Sequence, residues 1–384
     1  MDTRKLQFFV TGLVMMLFGI TMVVVGTIND FLTSTYQVDR IFIGFCASML
    51  TTGILFGSFT FGAIVDFYGY KPIMILGILF VIIGIEGIIY APYVSVIPYL
   101  FLLIGVGGGV INGVTNLIVA ILYPENAGAW ISLLGVFYGV GAFGFPLLTS
   151  ILLDSGLDYQ AILFITGLVL VIPLVFVLFV KFPAPKREKP VKMREYLGFF
   201  TKPAIIIIGL VLFFQSAVEA ILPTWAPTFL KDTFHVDYSR ALYAITVSCV
   251  SIALTRLFLS QLLKKVSSFK VLLFSLIVAM VGILIMGLGP KFWVSLSGIA
   301  LIGVGLAASF PVMLDYAADV FPGYTGIVFS IVIGIALVGN ILLNLLTGYI
   351  LQLLGMSMLS VLLILFVSII IALLYAVKYK IIKQ

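Results

Sequence analysis

Twelve stretches of this chain are apolar over the length an α-helix needs to cross a bilayer, about 20 residues. They lie at residues 6–34, 41–65, 72–91, 95–122, 127–153, 159–181, 204–230, 239–263, 270–289, 292–320, 323–352 and 355–377. None shows the alternating polarity of a barrel strand, so the spans are read as helices. Composition agrees: 62% of the residues are hydrophobic and 9% charged, against about 25% charged in a soluble domain. Lipid must therefore solvate most of the helix exteriors. The 37 glycines suit helices that pack closely in a membrane. The expected fold is an all-α membrane protein of twelve transmembrane helices.

One long hydrophilic stretch interrupts the pattern. Residues 182–203 carry Lys186, Arg187, Lys189, Lys192, Arg194 and Lys202, with Pro183, Pro185 and Pro190 among them. This linker divides the chain into six-helix bundles at residues 1–181 and 204–384. With the N-terminus in the cytoplasm, these six cations face inward with Arg4, Lys5, Lys71, Lys181, Lys264, Lys265, Lys270, Lys378, Lys380 and Lys383. Only Arg40, Lys231, Arg240 and Lys291 then face out, and Arg256 stays inside a span. The positive-inside rule therefore places both termini in the cytoplasm, in a multi-pass protein of the inner (plasma) membrane.

The net charge of +6 follows from this topology. The cations sit in loops and form no patch with interleaved aromatics, so nucleic acid is not an expected partner. Cys46 and Cys249 lie inside apolar runs, and His235 is the sole histidine. They give no disulfide framework, metal site or resident cofactor.

The second half repeats the first. Leu103–Gly107 recurs as Leu301–Gly305, 198 residues later, and Thr35-Tyr36-Gln37-Val38-Asp39 resembles Thr233-Phe234-His235-Val236-Asp237 at the same offset. Ser132 and Gly141 correspond to Ser330 and Gly339. Two similar bundles joined by a cytoplasmic linker imply a pseudo-twofold axis along the membrane normal, a geometry suited to alternating access.

The loop after the second span reads Gly62-Ala63-Ile64-Val65-Asp66-Phe67-Tyr68-Gly69-Tyr70-Lys71. It resembles the major facilitator superfamily signature G-x-x-x-D-x-x-G-R-[KR], with Tyr70 at the place of the arginine. The resemblance implies the major facilitator fold, usually complete as a monomer. It also implies a cytoplasmic gate that includes Gly62, Asp66, Gly69 and Lys71. Gly62 permits close helix approach and Gly69 a tight turn. Asp66 can latch onto a basic residue or a neighbouring helix N-terminus.

Three further segments resemble the fucose–galactose–glucose proton symporter group. They are Asn29-Asp30, the run Gly107 to Asn116, and Val218-Glu219 followed by Pro223-Thr224-Trp225-Ala226-Pro227-Thr228-Phe229-Leu230. Asn112 stands where that group has a glutamate. The resemblance implies symport of a sugar with a proton, Asp30 being the carrier.

Ionisable and polar groups at membrane depth are costly and mark functional candidates. Asp30 and Glu219 are the candidates for proton coupling. Pro223, one turn beyond Glu219, frees a backbone carbonyl. Asn29, Asn112, Asn116, Gln215, Asn340 and Asn344 are candidates to bond substrate hydroxyls, and Tyr138 and Trp225 to stack on a ring. Arg256 and Asp315 are expected to pair across helices near the cytoplasmic gate. Glu86, on a peripheral helix, is expected to make a local bond.

Arg256 is the single cation within a span. Carriers of phosphate esters or dicarboxylates need two or more to balance their substrates, so a neutral, sugar-like solute fits better. The expectation is a secondary active transporter, a proton–sugar symporter, with a proton-coupled exporter of drugs or organic ions as the alternative. The sequence has no nucleotide-binding Gly-x-x-x-x-Gly-Lys-Ser/Thr motif and no catalytic constellation, so an enzyme is not expected.

Overall fold

The computed structural model describes residues 3–183, 198–199, 202–322 and 324–378, with all side chains there except those at positions 62, 63, 66 and 260. Most of the linker, with Lys186, Arg187, Lys189, Lys192 and Arg194, lies outside the described residues. The same holds for Lys380, Lys383 and the side chain of Asp66.

The described residues form α-helices joined by short loops, with no strand. The first half contains α1 (Thr3–Thr27), α2 (Asn29–Tyr36), α3 (Arg40–Tyr68), α4 (Tyr70–Ile89), α5 (Ile97–Leu122), α6 (Ala127–Asp154) and α7 (Tyr159–Phe179). The second half contains α8 (Pro203–Phe234), α9 (Tyr238–Ala241), α10 (Tyr243–Leu263), α11 (Ser268–Leu288), α12 (Phe292–Leu306), α13 (Ser309–Val320), α14 (Thr325–Leu354) and α15 (Met358–Val377). Twelve spans long and apolar enough to cross a membrane result, as the sequence predicts.

Three spans are broken. The first divides at Ile28, the eighth at Leu242 and the tenth at Ala307–Ala308. Pro311 accounts for the last break: it has no N–H to give the carbonyl of Ala307, and its ring is tolerated in the first turn of α13. Pro146, Pro173, Pro223 and Pro227, by contrast, sit inside continuous helices.

The chain forms two compact units, Met1–Glu188 with Tyr238–Leu242, and the remainder. The short α9, placed by its sequence at the head of the eighth span, thus packs with the first unit. Its Tyr238 hydroxyl donates to the carbonyl of Gly26 at 2.6 Å.

Within each unit the same helix pairs pack. In the first, α1 packs on α6, α5 on both α3 and α4, and α4 on α7. In the second, α8 packs on α14, α12 on both α10 and α11, and α11 on α15. The glycine contacts repeat residue by residue. A Cβ on Gly105 would collide with the carbonyl oxygen of Leu50, and one on Gly303 would meet that of Ser248 at 2.7 Å. Gly84 abuts Leu100 and Ile104, and Gly282 abuts Gly298 and Ile302. Gly141 lies against Met16 and Gly339 against Phe213. Lipid supplies no hydrophobic drive between helices, so such close backbone approach, gained through dispersion contacts, holds each unit together.

The turns repeat as well. Gln37 and His235 both adopt the left-handed conformation, at φ 51° and 52°. They end α2 and α8 in the two copies of the Thr-aromatic-x-Val-Asp segment. Left-handed backbone at a helix C-terminus satisfies its last carbonyls. The His235 N–H, for example, bonds the Lys231 carbonyl at 2.9 Å.

Candidate functional site

In the first unit, the break at Ile28 sets the start of α2 at Asn29 and Asp30. Asn29 is buried and Asp30 half-buried. The Thr33 hydroxyl donates to the carbonyls of both, at 3.0 and 3.1 Å. Tyr159, at the head of α7, lies within electrostatic reach of the Asp30 carboxylate. Its ring packs on Phe31. Its hydroxyl is buried with no hydrogen-bond partner among the described residues. Sequence reasoning passed over Tyr159, because nothing in the spacing links it to a residue 129 positions earlier in the chain (159 against 30). Tyr36, the last residue of α2, donates to the Ile88 carbonyl at 2.7 Å.

On α5, Asn112 and Asn116 share one face. The Asn116 amide nitrogen donates to the Asn112 carbonyl at 2.8 Å and to its side-chain oxygen at 3.0 Å. Both are half-buried. Tyr138 is half-buried on α6, its ring 5.5 Å from that of Phe18. In this structure it belongs to an aromatic cluster with Phe8, Trp130 and Phe137.

At the gate motif, Gly69 adopts φ 83°, a conformation that favours glycine. Its N–H bonds the Val65 carbonyl at 2.8 Å. Lys71 reaches to α7, where its Nζ donates to the Leu178 carbonyl at 2.7 Å. A cation suits the negative end of that helix. Gly62 and Asp66 lie in α3, and what surrounds their side chains is outside the described residues.

In the second unit, the Gln215 side-chain nitrogen donates to the Leu306 carbonyl at 3.1 Å, next to the break in the tenth span. The Gln215 side-chain oxygen, the Ser309 hydroxyl and the Asn344 side-chain oxygen are buried without partners among the described residues. Asn344 donates to the carbonyl and side-chain oxygen of Asn340, at 3.0 and 2.7 Å. These i, i+4 asparagines thus repeat, on α14, the arrangement seen on α5. Trp225 is fully buried, and its Nε1 has no hydrogen-bond partner among the described residues.

The structure changes one expected pairing. Arg256 was expected to meet Asp315, which is exposed on α13. Its guanidinium instead meets Glu219, 3.3 Å away on α8. Arg256 is 38% and Glu219 26% exposed. An uncompensated cation at membrane depth is costly, and the mid-helix glutamate supplies the nearest opposite charge. Glu86 also finds a local environment, with its carboxyl lying over Gly167 of α7.

Duplicated six-span units with polar side chains at membrane depth define a polytopic carrier of the kind that moves solutes across bilayers. The family model of the Major Facilitator Superfamily matches residues 8–290 and 221–381, and the chain belongs to that family. It is 24% identical over 238 residues to the TsgA protein homolog of Buchnera aphidicola subsp. Schizaphis graminum (strain Sg). That match covers 61% of this chain and 59% of that protein. It is 22% identical over 352 residues to the glucose/mannose transporter GlcP of Bacillus subtilis (strain 168), covering 87% and 85% of the two chains. Among solved structures, a mutant of the nucleoside transporter NupG superposes with a TM-score of 0.84 at 14% identity, covering 98% of this chain and 99% of that one. A D-xylose–proton symporter superposes with 0.79 at 14% identity, covering 98% and 97%. GlcP and both structural neighbours are transporters, and the protein, a member of that superfamily, is a transporter rather than an enzyme.

Proposed function

We propose that this protein is a secondary active transporter that moves a small sugar-like solute by alternating access, coupled to a proton. The neutral monosaccharides are the first solutes to test. The observation that carries the reading is the Asp30 carboxylate, half-buried at the break of the first span. The Tyr159 phenol, its hydroxyl buried, lies within its electrostatic reach. A carboxyl so placed can hold a proton in one state of the cycle and release it in another. The paired asparagines on α5 and α14 carry amide groups suited to hydroxyls. The full-length relationship to a glucose/mannose transporter supports the substrate class. In this reading both termini are cytoplasmic, the loop at Gly62 to Lys71 gates the cytoplasmic side, and a monomer is sufficient.

The test uses purified protein in proteoliposomes and a panel of labelled monosaccharides. Asp30→Asn is expected to abolish accumulation driven by a pH gradient while retaining solute exchange. Gradient-driven accumulation by Asp30→Asn would refute the assignment. Expulsion of amphiphilic cations, with no sugar moved, would favour the exporter.

A further inference from the structure

Arg256 is 38% exposed and loosely held. A guanidinium has five N–H donors, yet among the described residues only Nη2 has a carboxylate partner, a single oxygen of Glu219. Their 3.3 Å separation exceeds the 2.7–2.9 Å or so of a tight charge-assisted bond. The second Glu219 oxygen is also left open. The exposed large apolar residues of α10 are Leu254, Leu257, Phe258 and Leu262. At about 100° per residue their mean direction lies opposite Arg256, with Leu257 nearest to it.

The surrounding helices bring few other charges to the pair: α11, which packs on α10, carries Lys270 in its first turn. Of those packed on α8, α12, α14 and α15 contain no Asp, Glu, Lys or Arg. On α13, Asp315 and Asp319 flank Tyr316, and neither contacts Arg256. The Cys249 thiol on α10 lies within electrostatic reach of both charges.

Resting on the transport reading above, we infer that the solute carries one carboxylate beside its hydroxyls, a sugar acid, which takes the open face of Arg256 in exchange for Glu219. Charge balance at membrane depth argues for this. The Arg256–Glu219 ion pair carries a net charge of zero. If Glu219 takes up a proton, a neutral solute leaves one uncompensated positive charge. A monocarboxylate restores zero, and its two oxygens match the planar fork of donors. The lack of a second cation, which disfavours phosphate esters and dicarboxylates, is no obstacle to a monoanion.

The experiment measures uptake and binding of D-gluconate, D-galactonate and D-glucuronate against D-glucose and D-galactose in proteoliposomes. Wild type is expected to prefer the acids. Arg256→Gln should weaken their binding roughly 10-fold, between the scales for an exposed and a desolvated charge pair, with Arg256→Lys restoring part of it. Glu219→Gln should bind the acids at least as tightly as wild type, with an affinity that no longer varies with pH. All variants should remain monodisperse. Transport of the neutral sugars with no preference for their acids overturns this inference and leaves the transport reading standing. Acid transport that Arg256→Gln leaves unchanged also overturns it. Movement of no sugar and no sugar acid overturns both.

Discussion

The duplicated glycine contacts make a graded prediction. Alanine at Gly303 places its Cβ 2.7 Å from the Ser248 carbonyl oxygen and 2.9 Å from the Ser251 Cβ. An ordinary C···O contact is about 3.3–3.6 Å, so α10 and α12 must separate by roughly 0.6 Å or more. Overpacking of this kind costs about 1–3 kcal/mol. For a cooperative unit of about 150–250 residues, each kcal/mol lowers Tm by roughly 2–4 °C. Gly303→Ala should therefore unfold about 2–12 °C below wild type. Gly105→Ala makes the same substitution in the first unit, where Leu50 is closer still, and should fall at least as far. Gly135, where an added Cβ would meet nothing within 4 Å, is the control. Alanine there gains up to about 1 kcal/mol of helix propensity and should unfold at or slightly above the wild-type temperature. The assay is thermal unfolding of purified protein in detergent, read by tryptophan fluorescence. Equal midpoints for all three variants would refute the claim that backbone approach at these glycines holds the units.

Two further outcomes are expected. Asp66→Ala should slow turnover several-fold while leaving solute affinity unchanged, as a gate residue would; unchanged turnover in counterflow assays would argue against that role. Lys71→Met removes the bond to the Leu178 carbonyl and, at this exposed site, should cost about 1 kcal/mol or less. A midpoint several degrees lower would mean that Lys71 does more than cap α7.

What could be read from the sequence, and what could not, follows from the range of the forces involved. The spans are set by local composition, and the described boundaries lie close to those expected. The repeat was also legible, because Leu103–Gly107 and Leu301–Gly305 keep the glycines that touch the second and eighth spans. The left-handed turns at Gln37 and His235 had their signal in the duplicated Thr-aromatic-x-Val-Asp segment. The break in the tenth span had a signal too, Pro311, which the apolar continuity of 292–320 masked. Side-chain partnership was not legible. Arg256 and Glu219 lie on different helices, and Asp315 is spaced as plausibly along the chain. Trp225, a ring-stacking candidate by its motif, is buried by tertiary packing that no local pattern reports. The asparagine pairs show both sides of this: i, i+4 spacing predicts a shared face, and the structure adds that each pair bonds within itself.

Proton-coupled solute movement is most directly tested by the pH of a weakly buffered suspension of energy-depleted cells making this protein. Monosaccharides and sugar acids are added one at a time. The account predicts alkalinisation on adding the transported solute, absent in cells making Asp30→Asn. Solute entry with no pH change, or alkalinisation that survives Asp30→Asn, would contradict it.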